Sequence, residues 1–164
     1  MKPIRGNWRP LRRFELRDEL IHDTYQSTRK PPEPTRCPDC GAIFSGGRWN
    51  WGTAPAGAHE MACPACRRIH DRFPAGYVEL RGEFLTGHRD EVLRLVRHHE
   101  AKEKAEHPLE RIMDVEETAG GLRITTTDTH LARDIGEAVH AAYKGELSYH
   151  YNKEENLLRV HWAR

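Results

Sequence analysis

The chain has 164 residues, 37% of them hydrophobic and 31% charged, with a mean hydropathy of −0.82. That length holds one ordinary domain or two small ones, and no apolar run approaches the ~20 residues of a bilayer-spanning helix, which excludes an integral membrane protein of helical type. With 26 Lys and Arg against 25 Asp and Glu the net charge is only +1, too little for a protein that merely coats nucleic acid. No apolar stretch follows Lys2, Arg5 and Arg9 as a secretion signal requires, so a cytoplasmic location is expected.

The charge is unevenly spread. Residues 1–36 carry nine basic and five acidic side chains, whereas residues 86–164 carry twelve and fifteen. A basic N-terminal arm, with Arg12 and Arg13 among its cations, suits contacts to phosphates; a solvated tail has the same composition. Leu11, Phe14, Leu16, Leu20 and Ile21 fit a short amphipathic helix. Pro31, Pro32 and Pro34 then impose an extended linker. Residues 1–35 are read as arm and linker.

Residues 36–76 change character to Cys, Gly, Pro, Trp and Ala, with short strands expected at 42–44, 48–51 and 59–62 and too little apolar material for a conventional core. All four cysteines lie here, in Cys37-Pro38-Asp39-Cys40-Gly41 and Cys63-Pro64-Ala65-Cys66, two Cys-x2-Cys pairs 22 residues apart. Two residues between ligands let a tight turn bring both sulfurs to one ion at ~2.3 Å, and glycine after Cys40 permits left-handed backbone. Disulfides are disfavoured by the cytoplasmic setting and a redox-active pair by the absence of a βαβ context; an iron–sulfur cluster or another metal is the third alternative. The spacing predicts a zinc ribbon with one structural Zn2+ held by Cys37, Cys40, Cys63 and Cys66, whose binding free energy replaces the missing core.

Between the knuckles lies Arg48-Trp49-Asn50-Trp51, and Arg67 and Arg68 follow the last ligand. Two indoles and three guanidiniums on a rigid ribbon suit stacking on exposed bases and pairing with phosphates. The alternative is that Trp49 and Trp51 only cover the metal and Arg68 only decorates the surface. Period-2 alternation places Trp49 and Trp51 on one face.

From residue 77 the periodicity becomes regular. Val78, Leu80 and Phe84 alternate with charged residues as in a half-buried strand, with Gly82 as a bulge. A helix is expected over 90–107, ended by Pro108. Residues 111–117 and 122–127 flank Ala119-Gly120-Gly121 as a hairpin, with Met113 and Val115 opposite Leu122 and Ile124. Leu131, Ile135, Ala138, Val139 and Ala142 mark a second helix, capped by Asp128 or Thr127 and closed by Lys144-Gly145. A final hairpin joins 147–151 to 157–162. The order is that of a ferredoxin-like βαββαβ unit with an extra edge strand, so the fold class is α+β and residues 77–164 form its second domain.

In that sheet Arg123, Thr125, Thr127, His150, Arg159 and His161 should share an open polar face, while the aromatics lie inside, unlike an RNA-recognition sheet. His98-His99-Glu100 is the densest histidine cluster, but neighbours on a helix diverge by about 100° and do not chelate together. No phosphate-binding loop, nucleophile elbow or His-Glu-x2-His helix occurs. Asp128 with His130, or Asp71 with His70, lacks a nucleophile or an open metal position, so a non-enzymatic protein is expected.

Residues 37–66, together with His107-Pro108-Leu109-Glu110-Arg111-Ile112 and the segment from Gly121 through Thr125-Thr126-Thr127-Asp128-Thr129-His130-Leu131-Ala132 to Arg133, resemble a small bacterial zinc-ribbon family. That family is similar to the N-terminal region of the archaeal and eukaryotic large-ribosomal-subunit export adaptor, the nonsense-mediated-decay-three family. The resemblance implies a ribosome or structured-RNA partner in the cytoplasm and carries metal-binding roles to the four cysteines; the adaptor's export role is not carried over. The expectation is a non-enzymatic, ribosome- or rRNA-associated zinc protein without evident DNA preference or membrane contact. A zinc-stabilised protein-interaction module without nucleic acid, docking a protein through the C-terminal domain, is the alternative.

Overall fold

The computed structural model describes residues 9–10, 25 and 29–164. The expected amphipathic helix at 11–21, and with it Arg12 and Arg13, lies outside the described residues.

A small sheet gathers β2 (Thr35–Arg36), β3 (Ile43–Ser45), β4 (Arg48–Asn50) and β5 (His59–Glu60) in the order β4-β3-β2-β5, after β1 (Arg9–Pro10), which belongs elsewhere. None of its strands exceeds three residues, so the ladder has few hydrogen bonds and needs another brace. The strand expected at 59–62 stops at Glu60, and the chain turns into α1 (Pro64–Asp71), a helix not anticipated from the sequence. Its start is nonetheless well specified: Cys63 is the N-cap, its sulfur accepting from the Cys66 N–H, and Pro64 occupies the first turn, where its missing N–H costs nothing.

The larger sheet comprises β6 (Gly76–Arg81), β7 (Ile112–Thr118), β8 (Gly121–Thr126), β9 (Glu146–Asn152) and β10 (Leu157–Ala163), with β1 on its margin, in the order β1-β9-β10-β6-β8-β7. The fold is α+β with mixed sheets, because β10 runs parallel to β6 in the larger sheet and β2 parallel to β5 in the smaller one, while the other pairings are antiparallel. The final strand is not an appended edge. It inserts between β6 and β9, which departs from the ferredoxin-like order expected. The reason lies in the side chains: Leu158, Val160 and Trp162 of β10 are all buried, whereas β9 carries exposed Glu146 and Ser148 and suits a more marginal place.

Two helices cover one face. α2 (Glu83–Glu106) is two helical segments joined at a kink at His88 (φ −128°, ψ 17°): the segment after the kink is the helix expected from 90, and the short one before it, which buries Leu85 in the core, was not expected. Gly82 is therefore the junction between β6 and α2, not a bulge. Its φ is +108°, and a Cβ there would stand 2.1 Å from the Arg164 carbonyl oxygen, so only glycine fits. α3 (Thr129–Tyr143) is capped by the Asp128 carboxylate, which accepts from the His130 and Leu131 N–H groups. The core joins Val78, Leu80, Ile124 and Val160 of the sheet to Val92, Val96, Leu131 and Ile135 of the helices. Trp162 sits in it with its indole N–H on the Lys144 carbonyl at 2.6 Å. In the β7–β8 hairpin Val115 pairs with Ile124 as expected, but Leu122 pairs with Glu117, and Met113 falls in a register shift.

Cross-strand register places Arg123, Thr125, His150, Arg159 and His161 on the opposite, open face. Thr127 is not among them: it is buried, its hydroxyl donating to the Leu109 carbonyl. Nor are all aromatics inside, since Tyr77 lies on this face with the Arg159 guanidinium 4.5 Å from its ring centroid. Glu79 sits nearly buried at the centre, paired with Arg81 at 2.9 Å and Arg123 at 3.3 Å. Among the described residues no helix is long and apolar enough to cross a membrane.

Candidate metal centre

The two knuckles are built differently. In the first, Gly41 takes φ +81° and donates its N–H to the Cys37 carbonyl at 2.9 Å, while the Cys37 N–H reaches the Ala42 carbonyl at 2.8 Å. The left-handed glycine turns the chain back so that Cys37 and Cys40 point to one spot, as the sequence implied. In the second, Cys63 and Cys66 occupy the N-terminus of α1, where free N–H groups and the helix dipole favour negative sulfur. The Cys63 N–H points at Cys37 Sγ (3.3 Å) and the Cys66 N–H at Cys63 Sγ (3.4 Å).

The four sulfurs all lie within 4.8 Å of one another, and Cys37, Cys63 and Cys66 are buried. Cys40 Sγ and Cys63 Sγ are 3.8 Å apart. That is far beyond a disulfide length of ~2.05 Å but equals the edge, about 3.8 Å, of a tetrahedron whose centre is ~2.3 Å from each sulfur. The residues present fit a metal ion with four thiolate ligands. Among the described residues no other group of three or more His, Cys, Asp or Glu comes together in this way, the His98-His99-Glu100 stretch included.

A fifth residue completes the centre. Arg111, just before β7, is buried and directs Nη2 to Cys63 Sγ and Cys66 Sγ, both at 3.2 Å. Burial alone works to lower its pKa, but the hydrogen bond to Cys66 and the neighbouring sulfur charge outweigh it and leave the pKa raised. Without an ion, burial drives the Cys63 thiol up and the Cys66 thiol to about 11, while Cys37, though also partly desolvated, is drawn down to about 7 by the backbone N–H groups of Cys63, Cys40 and Asp39. Four thiolates crowded together are costly unless cations compensate them, which is what a metal ion and Arg111 supply. The backbone holds Arg111 in place: its N–H donates to Thr127 Oγ1 at 2.9 Å and its carbonyl accepts from the Thr127 N–H at 2.9 Å. Sequence reasoning did not find Arg111, because its sulfur partners lie 45 and 48 positions away and nothing local marks it.

The remaining ribbon residues separate into distinct roles. Trp49 is half-buried, packs on the cysteine cluster and meets Phe44 edge-on at 5.6 Å. Trp51 falls just beyond the end of β4, where strand alternation no longer applies, and its indole N–H donates to the Lys104 carbonyl of α2 at 2.6 Å. The two indoles line different cavities and do not share a face, contrary to the period-2 expectation. Arg68 is only 2% exposed, donates to the Phe73 carbonyl and lies 4.3 Å from the Tyr25 ring centroid, so it is an internal residue and not a surface contact. Arg67 is half-buried, hydrogen-bonded to the Tyr25 carbonyl, and Arg48 is exposed. Arg48, Trp49 and Arg67 line one cleft together with Lys30.

Comparison of the chain with family models, curated proteins and solved structures gives no match, so the reading of the site rests on its chemistry.

Proposed function

We propose that this protein is a non-enzymatic zinc protein that associates with the ribosome through rRNA, serving translation, assembly or dormancy. Zinc is the ion that four thiolates in a closed tetrahedron suit best, and with no ligand position left for water it serves as a brace and not as a catalyst. The observation that carries the RNA reading is the convergence of Lys30, Arg48 and Arg67, from three separate stretches of chain, around one cleft of the metal-braced ribbon. Cations fixed on a rigid scaffold bind phosphates at a smaller entropic cost than cations on a flexible tail. The resemblance to the large-subunit export adaptor adds the ribosome as the source of that RNA.

A second reading has its own support. Ile69, in the last turn of α1, and Phe73, two residues beyond its end, are 40% and 47% exposed and would suit a protein partner. Sucrose-gradient sedimentation of lysates at two salt concentrations, with and without nuclease, separates the two. Co-migration with a ribosomal subunit that weakens with salt and disperses on nuclease treatment supports the RNA reading. A complex that survives nuclease, or a protein found only at the top of every gradient, contradicts it.

A further inference from the structure

We propose that the cleft beside the metal centre receives a single unstacked nucleobase of an RNA strand, with the adjoining phosphate held at its mouth; this rests on the RNA reading above and assigns it a binding site. The cleft has a volume of about 250 Å³. That is just under the usual range for ligand sites and is ample for one planar ring system. Its walls are the Phe44 ring and the Trp49 indole, set edge to face, and the exposed thioether chain of Met61. Trp49 also packs on the cysteine cluster, so the metal fixes the wall against which a base would lie.

Three cations, Lys30, Arg48 and Arg67, line the cleft. Lys30 and Arg48 are exposed, and neither has an ion pair among the described residues; one negative charge adjoins them, the Glu33 carboxylate, which accepts from the Gly46 and Gly47 N–H groups at 2.9 and 3.0 Å. Arg67 contributes a third guanidinium, whose Nε is buried without a hydrogen-bond partner. An aromatic-lined cleft with three cations against one carboxylate complements a ligand with an aromatic body and an anionic edge. Single-stranded nucleic acid presents both at each residue, and base stacking on aromatic side chains with cations along the backbone is its general mode of recognition. An acidic peptide would satisfy the rim but leave the aromatic walls unfilled.

The test uses the full metal-loaded chain, a short single-stranded RNA and the four 5′-mononucleotides, with the indole N–H resonances of Trp49 and Trp51 as reporters. RNA is expected to shift the Trp49 resonance and leave Trp51, bound to the Lys104 carbonyl, unmoved. Lys30→Gln combined with Arg48→Gln, both solvent-exposed, should weaken RNA binding about tenfold or more and flatten its salt dependence by about 1.4 units of log–log slope. An unmoved Trp49, or a double variant that binds as the parent does, overturns the proposal. So do mononucleotides that bind as tightly as the RNA, since the cleft would then be a free-nucleotide site. If the parent protein still sediments with ribosomes while Trp49 stays silent, the cleft fails and the ribosome reading stands; if sedimentation fails as well, both fall.

Discussion

Arg111 Nη2 stands 3.2 Å from Cys66 Sγ, joining the residue that opens β7 to the cysteine centre of the ribbon. A divalent ion with four thiolates has a formal charge of −2, and a buried guanidinium offsets half of it. The same seam is closed by Leu109, which packs on the cysteine cluster, and by Trp51, which is hydrogen-bonded to the last turn of α2. Ribbon and larger sheet thus meet at the cysteine centre.

Arg111→Gln leaves the buried sulfurs without their cation. Breaking a buried charge pair from one side costs on the order of 3 kcal/mol, so the metal-loaded variant should unfold at lower urea and yield its ion to a chelator faster than the parent, with Arg111→Lys intermediate. Unfolding midpoint and chelator-competition rate check this; parent-like values for both would show that the contact contributes nothing.

Metal removal should act locally. The cysteine cluster with Ala42 and Ala65 is a separate core from the one around Val78, Ile124 and Leu131, and the small sheet has little else to hold it. On chelation the amide resonances of Phe44 and Trp49 should collapse to unfolded positions while those of Val78 and Ile124 remain dispersed. Loss of both sets together would mean that the sheet cannot stand without the ribbon.

Glu110 supplies a pH signature away from the sulfurs. Burial, reinforced by the charges of Asp128, Glu103 and Asp134 and opposed by Arg133, raises its pKa from 4.5 to about 8, and its Oε2 has no hydrogen-bond partner. The fold therefore favours the protonated acid: this contribution is fully present below pH 4.5, is lost as pH rises toward 8, and is constant beyond. Glu110→Gln should raise the melting temperature by an amount that grows between pH 6 and 8 and then levels off. A pH-independent difference would place the carboxyl in water.

Gly136 lies where α3 crosses β10. A Cβ there would stand 2.4 Å from Val160 Cγ1 and 3.2 Å from Leu147 Cδ1. Val160 is β-branched and fully buried in an interior strand, so it cannot turn aside. Overpacking of about 1–3 kcal/mol should exceed the ~1 kcal/mol that alanine gains in a helix, and Gly136→Ala should lower the urea midpoint. A raised midpoint would show that α3 can lift off the sheet.

What was legible in the sequence is what short-range pattern encodes. The Cys-x2-Cys spacings located the ligands, the Gly120 turn located the β7–β8 hairpin, and Asp128 with the apolar stripe from Leu131 located α3. What was not legible depends on contacts distant in sequence. The place of β10 between β6 and β9 follows from which strand can bury a whole face, and Arg111 becomes a partner of the thiolates only when the loop after α2 folds against α1. The short helical segment before His88 was hidden by Gly82, which reads as a strand bulge, whereas the Arg164 backbone passing against it makes it the junction of β6 and α2. Arg68 looked like a surface cation because nothing nearby in sequence announces the Tyr25 ring on which it lies.

The most direct measurement is metal analysis of the purified protein combined with X-ray absorption at the zinc edge. The account predicts one zinc per chain with four sulfur neighbours at about 2.3 Å and no oxygen or nitrogen in the inner shell. A substoichiometric ion, a shell containing a light-atom ligand, or sulfurs paired as disulfides would contradict it.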